Sequence, residues 1–495
     1  MKRRIMLAAA LIAAASSGAQ APLSVDTSFR VDLPAQNVRS LAFMPNGQIL
    51  FSGQMEFPGE TNVWPLARIN PDGSRDLSFP FTYGGSKLTP WQDRFYVGAG
   101  TVRRLTPNGT IDNSFQNMNS DPYFISAQGG DYHVFPDGRV LMGGYHSIEA
   151  EHLNLQGDYN LVWFFNNGRL DTTRTHRTGN GAVFGLKQYP QGTAGGLGGK
   201  FLVHHWGTQY EGQAVSKVFR IHADGSLDES FNAPIPWGYV WAMEPLPDGR
   251  AYLGGTFRLE NETDTIQLIR VMPDGSLDPT FNNTIDFTMD ASHLALDAAV
   301  LDVEQIGHGL LALAGEFSEV EGQARGGLCI VDTTGQVVQH YLDAAGCGNY
   351  DYQIGMMTIT YGALEGITRA PSGDYYIWGA YHGYSDGTTN DTLQRMVTRL
   401  HGGEIGLGLQ QPESRENLAR LYPNPASSTA TLELDEVPPD AQLVLRDALG
   451  REMLRQRITG HYTTLQLGAL PAGCFGVELW LTAKHATHHK LIIQR

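Results

Sequence analysis

Two short phrases alternate through most of the chain, and this internal repeat limits the possible folds more than any other feature. The first phrase places an arginine before a Pro-Asp-Gly or Pro-Asn-Gly turn and ends in Asp-x-Ser/Thr-Phe. Its clear copies are residues 68–79, 104–115, 220–231 (with Ala223 in place of the proline) and 270–281. The second phrase is an apolar stretch, then Pro-x-Gly, then an apolar strand that ends in glycine. Its clear copies are residues 41–53, 134–144, 243–255 and 367–379.

Weaker copies bring each phrase to seven, with a period of about 54 residues for one and about 55 for the other. Pro presets its own backbone torsion and Gly accepts a positive φ, so each phrase predicts a β-hairpin. Two hairpins make a four-stranded sheet that cannot bury both faces alone and must stack on neighbours. We therefore predict an all-β chain with a seven-bladed β-propeller, the alternative being an open β-solenoid.

The repeats also predict how the ring closes. The seventh copy of the first phrase stops at Gly402-Gly403 and lacks its Asp-x-Ser-Phe ending. That ending occurs near the start of the chain, at residues 25–29. We expect this segment to pack against the last blade, near residue 403. The phenylalanines should fill the space between sheets, and the aspartates should cap the turns.

The first phrase resembles the delta-60 repeat family, whose hallmark is Pro-Asp-Gly-Ser-Leu-Asp-x-Ser-Phe. Residues 270–281 are nearly ideal, with Thr280 in place of the usual serine. The resemblance covers residues 20–405 and implies a β-propeller-like fold. It carries over no catalytic residue.

The tail has a different pattern. After a polar stretch, several short strands alternate with turns over residues 420–495, which predicts a small β-sandwich. The tail is similar to the type A C-terminal sorting domain of the type IX secretion system of Bacteroidota. The matching residues are Tyr422, Pro423, Asn424, Pro425, Asp447, Gly450, Gly473 and Lys490. The resemblance implies contact with the type IX machinery, removal of the tail near residues 411–420, and release or surface anchoring.

The N-terminus has the pattern of an export signal. Lys2-Arg3-Arg4 precedes an Ala-rich apolar run and the small residues Ser17-Gly18-Ala19, which predicts a secretory signal peptide. The predicted domains are thus the signal peptide (1–19), the repeat propeller (20–407), a linker (408–419) and the sorting domain (420–495). No later window is long enough for a transmembrane segment. We expect passage through the periplasm and a secreted or outer-membrane surface-attached protein.

Composition and motifs limit the kinds of partner and of active or metal site that we expect. A net charge of -16 without a basic run argues against a nucleic-acid partner. The motifs of common nucleophile, zinc, phosphate and EF-hand sites are absent from the sequence, so we name no catalytic, cofactor-binding or metal residue. The repeated Asp76, Asp112, Asp228 and Asp278 could hold Ca²⁺, although turn capping explains their spacing without a metal. Cys329 and Cys347 could form a disulfide, or all three cysteines could be buried thiols.

Aromatic residues are the candidate ligand contacts. Those in inter-strand regions are Trp237, Tyr239, Trp241, Tyr350, Tyr352, Tyr381 and Tyr384. Exposed aromatic rings beside polar groups suit sugar or peptide recognition, whereas the same residues could pack between blades. We favour a non-catalytic scaffold that binds an extracellular glycan or protein. The alternatives are an exported hydrolase or lyase acting on an extracellular polymer, and a structural adhesion component.

Overall fold

The structure is a computed structural model, and it describes residues 21–79, 83–116, 118, 124–289, 297–307, 309–339, 341–354, 357–403, 419–434, 437, 441–447, 451–482 and 485–494. The chain divides into two compact units, residues 1–407 and 408–495. The predicted signal peptide lies outside the described residues, as do most of the predicted linker and the expected cleavage region.

Strands dominate the first unit. Strands β1 to β15 are Ala35–Phe43, Ile49–Glu56, Val63–Ile69, Leu88–Trp91, Arg94–Ala99, Thr101–Leu105, Ile125–Val134, Val140–Ala150, Leu155–Phe164, Val183–Gln188, Phe201–His205, Gln209–Tyr210, Gln213–Ala214, Val218–Ile221 and Trp237–Pro245. Strands β16 to β29 are Ala251–Arg258, Ile266–Val271, Phe287–Thr288, Ala299–Gly307, Leu310–Glu316, Glu319–Val320, Gln323–Ala324, Leu328–Asp332, Gly346–Cys347, Tyr350–Ile354, Met357–Tyr361, Ala363–Arg369, Tyr375–Ser385 and Asn390–Leu400. The described helical turns are the 3₁₀ segments Glu151–Leu153 and Ala194–Gly196.

Seven antiparallel sheets follow one another along the repeats. They are sheet 1 (β1–β3), sheet 2 (β4–β6), sheet 3 (β7–β9), sheet 4 (β10, β11, β14), sheet 5 (β15–β17), sheet 6 (β19, β20, β23) and sheet 7 (β27–β29, extended by β24). The predicted all-β, propeller-type fold is confirmed. The seven-bladed ring stays a prediction.

The prediction of four full strands per sheet is wrong. Each of sheets 1 to 6 has three ladder strands, and the fourth strand shrinks to one bridge after the turn, such as Val271 with Leu277. Directly after this bridge the chain leaves the ladder, because it turns at Asp278. The Asp278 carboxylate accepts hydrogen bonds from the backbone N–H and hydroxyl of Thr280, at 2.8 and 2.7 Å. The predicted capping role of this aspartate is confirmed.

The first phrase also builds a buried staple between neighbouring sheets. Arg220 Nε lies 2.6 Å from Asp228 Oδ2, and its guanidinium lies 4.9 Å from the ring centre of Phe231. The same guanidinium donates to the carbonyl of Pro273, in the turn of the next sheet, at 2.6 Å. Equivalent staples occur at Arg68, Arg104, Arg270 and Arg399. We call each such Arg–Asp–Ser/Thr–Phe group a staple.

The phenylalanines of the staples fill the space between sheets, as predicted. Phe281 is buried in one apolar cluster with Leu268 of sheet 5 and Leu311 of sheet 6. In four of the five staples, those of Phe29, Phe115, Phe231 and Phe281, a neighbouring turn packs tightly on the residue that follows the phenylalanine. At Gly275, where φ is 90°, an added Cβ would lie 2.6 Å from the carbonyl carbon of Asn232, so only glycine fits.

The seam between the first and last repeats uses the same staple. Val25 bridges Leu400, and the Asp26 amide donates to the Arg399 carbonyl at 2.9 Å. Arg399 pairs with Asp26 at 2.7 Å and also donates to the carbonyl of Pro71 in sheet 1, at 3.1 Å. The predicted contact of residues 25–29 with the end of the last repeat is therefore confirmed.

The second unit has its own core. Strands β30 to β36 are Ala419–Tyr422, Thr429–Leu434, Gln442–Arg446, Glu452–Arg457, Tyr462–Gln466, Gly473–Thr482 and His485–Ile493. They form two antiparallel sheets, with strand orders β30-β31-β34 and β33-β32-β35-β36. Both sheets bury side chains in a single apolar cluster that includes Leu432, Leu465, Leu445 and Leu479.

The staple gives a stability prediction. Asp228→Ala removes the carboxylate that compensates Arg220, whose side chain is 2% exposed, so we expect a loss of about 3 kcal/mol or more. Asp224→Ala is the matched control. That carboxylate is 62% exposed, caps the Ser226 turn and lies 4.0 Å from the Arg177 guanidinium, so about 1 kcal/mol or less should be lost.

Urea unfolding of the full chain, followed by tryptophan fluorescence, measures both variants. Equal losses for Asp228→Ala and Asp224→Ala would contradict a special role for the buried pair.

Candidate functional site

The candidate site begins with a β-bulge that recurs in the first strand of six sheets. Register shifts occur between Val38 and Ser40, Gly129 and Tyr132, Val183 and Gly185, Val240 and Ala242, Val300 and Asp302, and Leu364 and Gly366. A bulge leaves an extra residue outside the ladder and turns its side chain away from the alternation of the strand. The residues so placed are Arg39, Gly130, Phe184, Trp241, Leu301 and Glu365, which we call the bulge ring.

The bulges explain the glycine that ends the second phrase. At Gly255 an added Cβ would lie 2.0 Å from the carbonyl oxygen of Tyr239, and at Gly315 it would lie 2.1 Å from that of Ala299. The bulge pushes the facing carbonyl into the space that a side chain would need. In five repeats the bulged residue stands fourteen positions before this glycine, as Trp241 does before Gly255.

Four residues of the bulge ring, Arg39, Gly130, Phe184 and Trp241, line a cavity of about 520 Å³. Its walls come from sheets 1 to 6 and include Arg39, Lys87, Asp131, Lys187, Trp241 and Asp302. Two of its cations are paired, Lys87 with Asp131 at 2.8 Å and Lys187 with Glu244 at 3.0 Å.

The aspartates of the cavity serve the backbone. Asp131 accepts a hydrogen bond from the Leu186 amide of sheet 4, at 2.9 Å. Asp302 accepts from its neighbour Val303 and from the Ile367 amide of sheet 7, each at 3.0 Å. These carboxylates therefore tie the inner strands of adjacent sheets together.

Burial shifts the carboxyl groups around the cavity toward the neutral form. It raises the pKa of Asp302 to about 6, and burial together with Asp302 and Glu244 raises the pKa of Glu304 to about 7. Burial also raises the pKa of Glu365 to about 7, although Arg39 opposes this shift. These groups carry partial charge near neutral pH.

Four aromatic rings form an unbroken series whose two ends, Phe184 and Trp241, line the cavity. Phe184 lies 4.4 Å from Trp206, Trp206 lies 5.8 Å from Tyr239, and Tyr239 stacks on Trp241 at 5.4 Å, all between ring centres. Trp206, Tyr239 and Trp241 are 47%, 38% and 45% exposed. We call these four residues the aromatic platform. Trp237 continues the exposed side of β15, and the Arg258 guanidinium lies 4.6 Å above its ring.

The platform is held from beneath by polar contacts. The buried His204 accepts a hydrogen bond at Nε2 from the Val240 amide, at 3.3 Å, just before the bulge that presents Trp241. Lys217 donates to the carbonyls of Trp206 and Gly207, at 2.6 and 3.1 Å. The backbone that carries the exposed rings is therefore held by side-chain hydrogen bonds.

Only part of the predicted aromatic set is exposed. Trp237, Tyr239 and Trp241 lie together on the surface, and ligand binding by them stays a prediction. Tyr350, Tyr381 and Tyr384 are buried, so describing them as ligand-face residues is wrong. Tyr381 and Tyr384 lie in the cluster shared by sheets 6 and 7, and Tyr350 in the cluster shared by sheets 7 and 1. Tyr352 is half-buried, and its hydroxyl donates to Glu56 at 3.3 Å.

Sequence reasoning missed Phe184, Trp206 and Arg39. Sheet 4 carries the Gly-rich insertion at residues 192–199, which hides its repeat and shifts the spacing to its bulge. For Arg39, the fourteen-residue distance to Gly53 was an available signal.

The disulfide prediction is wrong, since both thiols are free. Cys329 points into the cluster between sheets 5 and 6, whereas its neighbours Leu328 and Ile330 point to the other face of β23. Cys347 packs against the cluster that holds those two neighbours, so the sheet separates the thiols. Within the described chain, no group of three or more His, Cys, Asp or Glu side chains could hold a metal ion.

The sorting-motif residues latch the second unit. Asn424 donates to the Lys490 carbonyl at 2.6 Å and accepts from the Ile492 amide at 2.9 Å, so the Tyr422–Pro425 segment clasps the last strand. The Asp447 carboxylate accepts from the Arg451 amide and side chain, at 3.0 and 2.7 Å. Gly473 begins β35, and Gly450 lies outside the described residues.

Comparison with known families gives matches in each of the two units. A family described as a domain of unknown function (DUF5122) β-propeller matches residues 45–79, 95–115, 199–231 and 246–281. A secretion system C-terminal sorting domain matches residues 420–494. The chain therefore carries DUF5122 β-propeller repeats and a type IX sorting domain. The sorting domain implies handling by the type IX machinery and export to the cell surface or beyond.

Two solved structures resemble the chain at low identity. PorZ, a surface component of the type IX secretion system of Porphyromonas gingivalis, is 11% identical, with 95% of this chain and 61% of that one covered and a TM-score of 0.37. The extracellular domain of BT4673, a putative hybrid two-component system from B. thetaiotaomicron, is 10% identical, with 93% and 57% covered and a TM-score of 0.38. The chain thus spans about three fifths of both structures, and we take nothing about activity from either.

No curated protein matches the chain. None of the helical turns in the described residues has the length and hydropathy to cross a bilayer.

The cavity carboxyls give a prediction about pH. The pKa of Glu365 rises from 4.5 to about 7 on folding, so the folded state holds a proton that the unfolded chain releases in that interval. This group therefore favours the folded state increasingly as the pH falls from about 8 to about 5. Glu365→Gln should flatten the rise in Tm over this range.

The glutamine side chain of this variant can still accept the hydrogen bond that Asn37 donates to Glu365, at 3.0 Å. Glu149→Gln, at an exposed position in sheet 3, is the control and should keep the full slope. The attribution fails if Glu365→Gln and Glu149→Gln show the same dependence of Tm on pH, measured by scanning calorimetry.

Proposed function

We propose that this chain is an exported, non-catalytic binding scaffold whose aromatic platform binds an extracellular glycan. The observation that carries the proposal is the platform itself, four adjoining rings of which three are well exposed beside a cavity. Sugar rings present C–H faces that stack on aromatic faces, and large aromatic residues can contribute strongly when a ligand covers them. A protein ligand is the other possible occupant.

The rest of the chain supports this role. The backbone that carries the platform is held by ladder and side-chain hydrogen bonds in the free protein, so ordering the site on binding costs less free energy. The tail supports export by the type IX route, and the predicted cleavage near residues 411–420 would release the propeller or leave it for attachment at the surface.

Platform variants test the proposal. We expect Trp241→Ala and Tyr239→Ala each to weaken binding to a soluble polysaccharide by about tenfold, equivalent to about 1.4 kcal/mol. Affinity gel electrophoresis of the full chain through gels containing a panel of neutral and acidic polysaccharides measures this. Tyr462→Ala, at an aromatic residue that is 67% exposed in the second unit, is the control and should bind as the parent does.

Loss of retardation in Tyr462→Ala alone, or unchanged retardation in both platform variants, would contradict the platform as the binding surface. Retention of a protein partner but of no polysaccharide would assign the platform to protein recognition instead.

A polysaccharide hydrolase is the second candidate, and Glu304 is the observation that favours it. The Glu304 carboxyl lies close enough to the cavity residues Asp302 and Lys187 to feel their charges, and a carboxyl with a pKa of about 7 is a fitting general acid. If the chain cleaves its polysaccharide, Glu304→Gln should lower the release of reducing ends at least a hundredfold without weakening binding. Equal release by the parent and Glu304→Gln, or none by either, leaves the binding scaffold as the function.

A further inference from the structure

The positively charged residues around the aromatic platform bear on the kind of glycan that the platform binds. Lys87 and Lys187 in the cavity wall are neutralised by Asp131 and Glu244. Arg39 is exposed in the same wall and forms no ion pair or hydrogen bond within the described part of the chain. It occupies the position in sheet 1 that Phe184 and Trp241 occupy in sheets 4 and 5.

A second unpaired arginine lies at the other end of the exposed rings. Arg258 is exposed, faces Trp237 across the β15–β16 ladder and stacks on its ring. It too forms no ion pair among the described residues. Arg39 thus lines the same cavity as Phe184 and Trp241, and Arg258 stacks on Trp237 in the same strand as Trp241. The N–H groups of each guanidinium can bind two oxygens of a carboxylate or sulfate in a forked geometry.

Acidic groups near Arg39 do not neutralise it. Glu365 belongs to the bulge ring, is held by Asn37 and is only partly ionised near neutral pH. Asp302 directs both carboxylate oxygens at backbone amides. An anion entering the cavity would thus find one guanidinium without a competing carboxylate in contact.

We propose that the ligand is an acidic linear polysaccharide, with sugar rings stacked on the platform and carboxylate or sulfate groups bound by Arg39 and Arg258. This inference rests on the proposed function and names its ligand class. The whole chain, at a net charge of -16, repels polyanions, so a preference for an acidic polymer has to arise locally at the site. Uronate and sulfate share the chemistry that the two arginines recognise.

Paired polymers that differ only in charge test the inference. Polygalacturonate and its fully methyl-esterified form make one pair, and dextran sulfate and dextran make the other. The full chain should bind the acidic member of at least one pair at least tenfold more tightly at low salt, and the pair that does so identifies carboxylate or sulfate as the group bound. Arg39→Gln and Arg258→Gln should each reduce that difference severalfold and leave the neutral polymer bound as before.

Arg139→Gln is the matched control. Arg139 lies on a turn of sheet 3, where it pairs with Asp137 at 2.7 Å, and its loss should change nothing. Equal binding of both members of each pair overturns the acidic preference and leaves the platform's role intact. A fall in acidic binding as large in Arg139→Gln as in Arg39→Gln also overturns it, since the attraction would then be diffuse. Binding of none of the four polymers, by parent and variants alike, overturns this inference, and failure across the wider neutral and acidic panel rejects the proposed function separately.

Discussion

A buried arginine that is compensated on every side is the interaction on which the propeller depends. In the staple, one guanidinium meets the carboxylate of its own repeat, the ring of the phenylalanine that separates two sheets, and a carbonyl in the turn of the next sheet. An arginine buried without these partners would destabilise the fold severely. The requirement fixes the spacing of Arg, Asp, Ser and Phe within the phrase, and in four of the five staples the arginine also reaches a carbonyl in the turn of a neighbouring sheet. The chain's start obeys the same constraint, since Asp26, Ser28 and Phe29 complete the staple of Arg399.

The staples leave the inner strands free to carry differing side chains. A bulge at the same place in six sheets leaves one residue per sheet outside the ladder, and four of these residues line one cavity. The observed set ranges from Gly130 through Leu301 to Arg39 and Trp241, while the glycine opposite the bulge is kept in five of the six sheets, His205 taking its place in sheet 4. The bulge is therefore constant in these sheets, whereas the chemical nature of the residue on it varies. Because the repeated staples and bulges do not depend on which side chain stands on the bulge, one repeat architecture can carry a chemically distinct site.

Local patterns in the sequence were enough to predict the frame. The turn tripeptides, the capping aspartates, the phenylalanine between sheets and the seam all depend on residues within a dozen positions of one another, or on a phrase that is visibly incomplete. Exposure of single aromatic residues could not be predicted in this way. Tyr239 and Tyr381 both occur in strand-like stretches, but Tyr381 faces sheet 6 whereas Tyr239 faces solvent, and only the stacking of sheets decides between them. The disulfide prediction is wrong for the same reason, because Cys329 and Cys347 lie on opposite sides of β23.

Burial raises the pKa of the acids in the frame and around the cavity alike, yet the net shifts are opposite. In the staples, hydrogen bonds from serine or threonine and from arginine outweigh burial, so the pKa values of Asp76, Asp112, Asp228 and Asp278 fall well below the ordinary range. Around the cavity, burial wins, and the pKa values of Asp302, Glu304 and Glu365 rise to between about 6 and about 7. The frame therefore keeps its charges at every pH at which the cavity changes its own. An exported protein meets an external pH that its cell does not control, and in this molecule the part that responds near neutrality is the wall of the candidate site, while the staples that hold the sheets together do not respond.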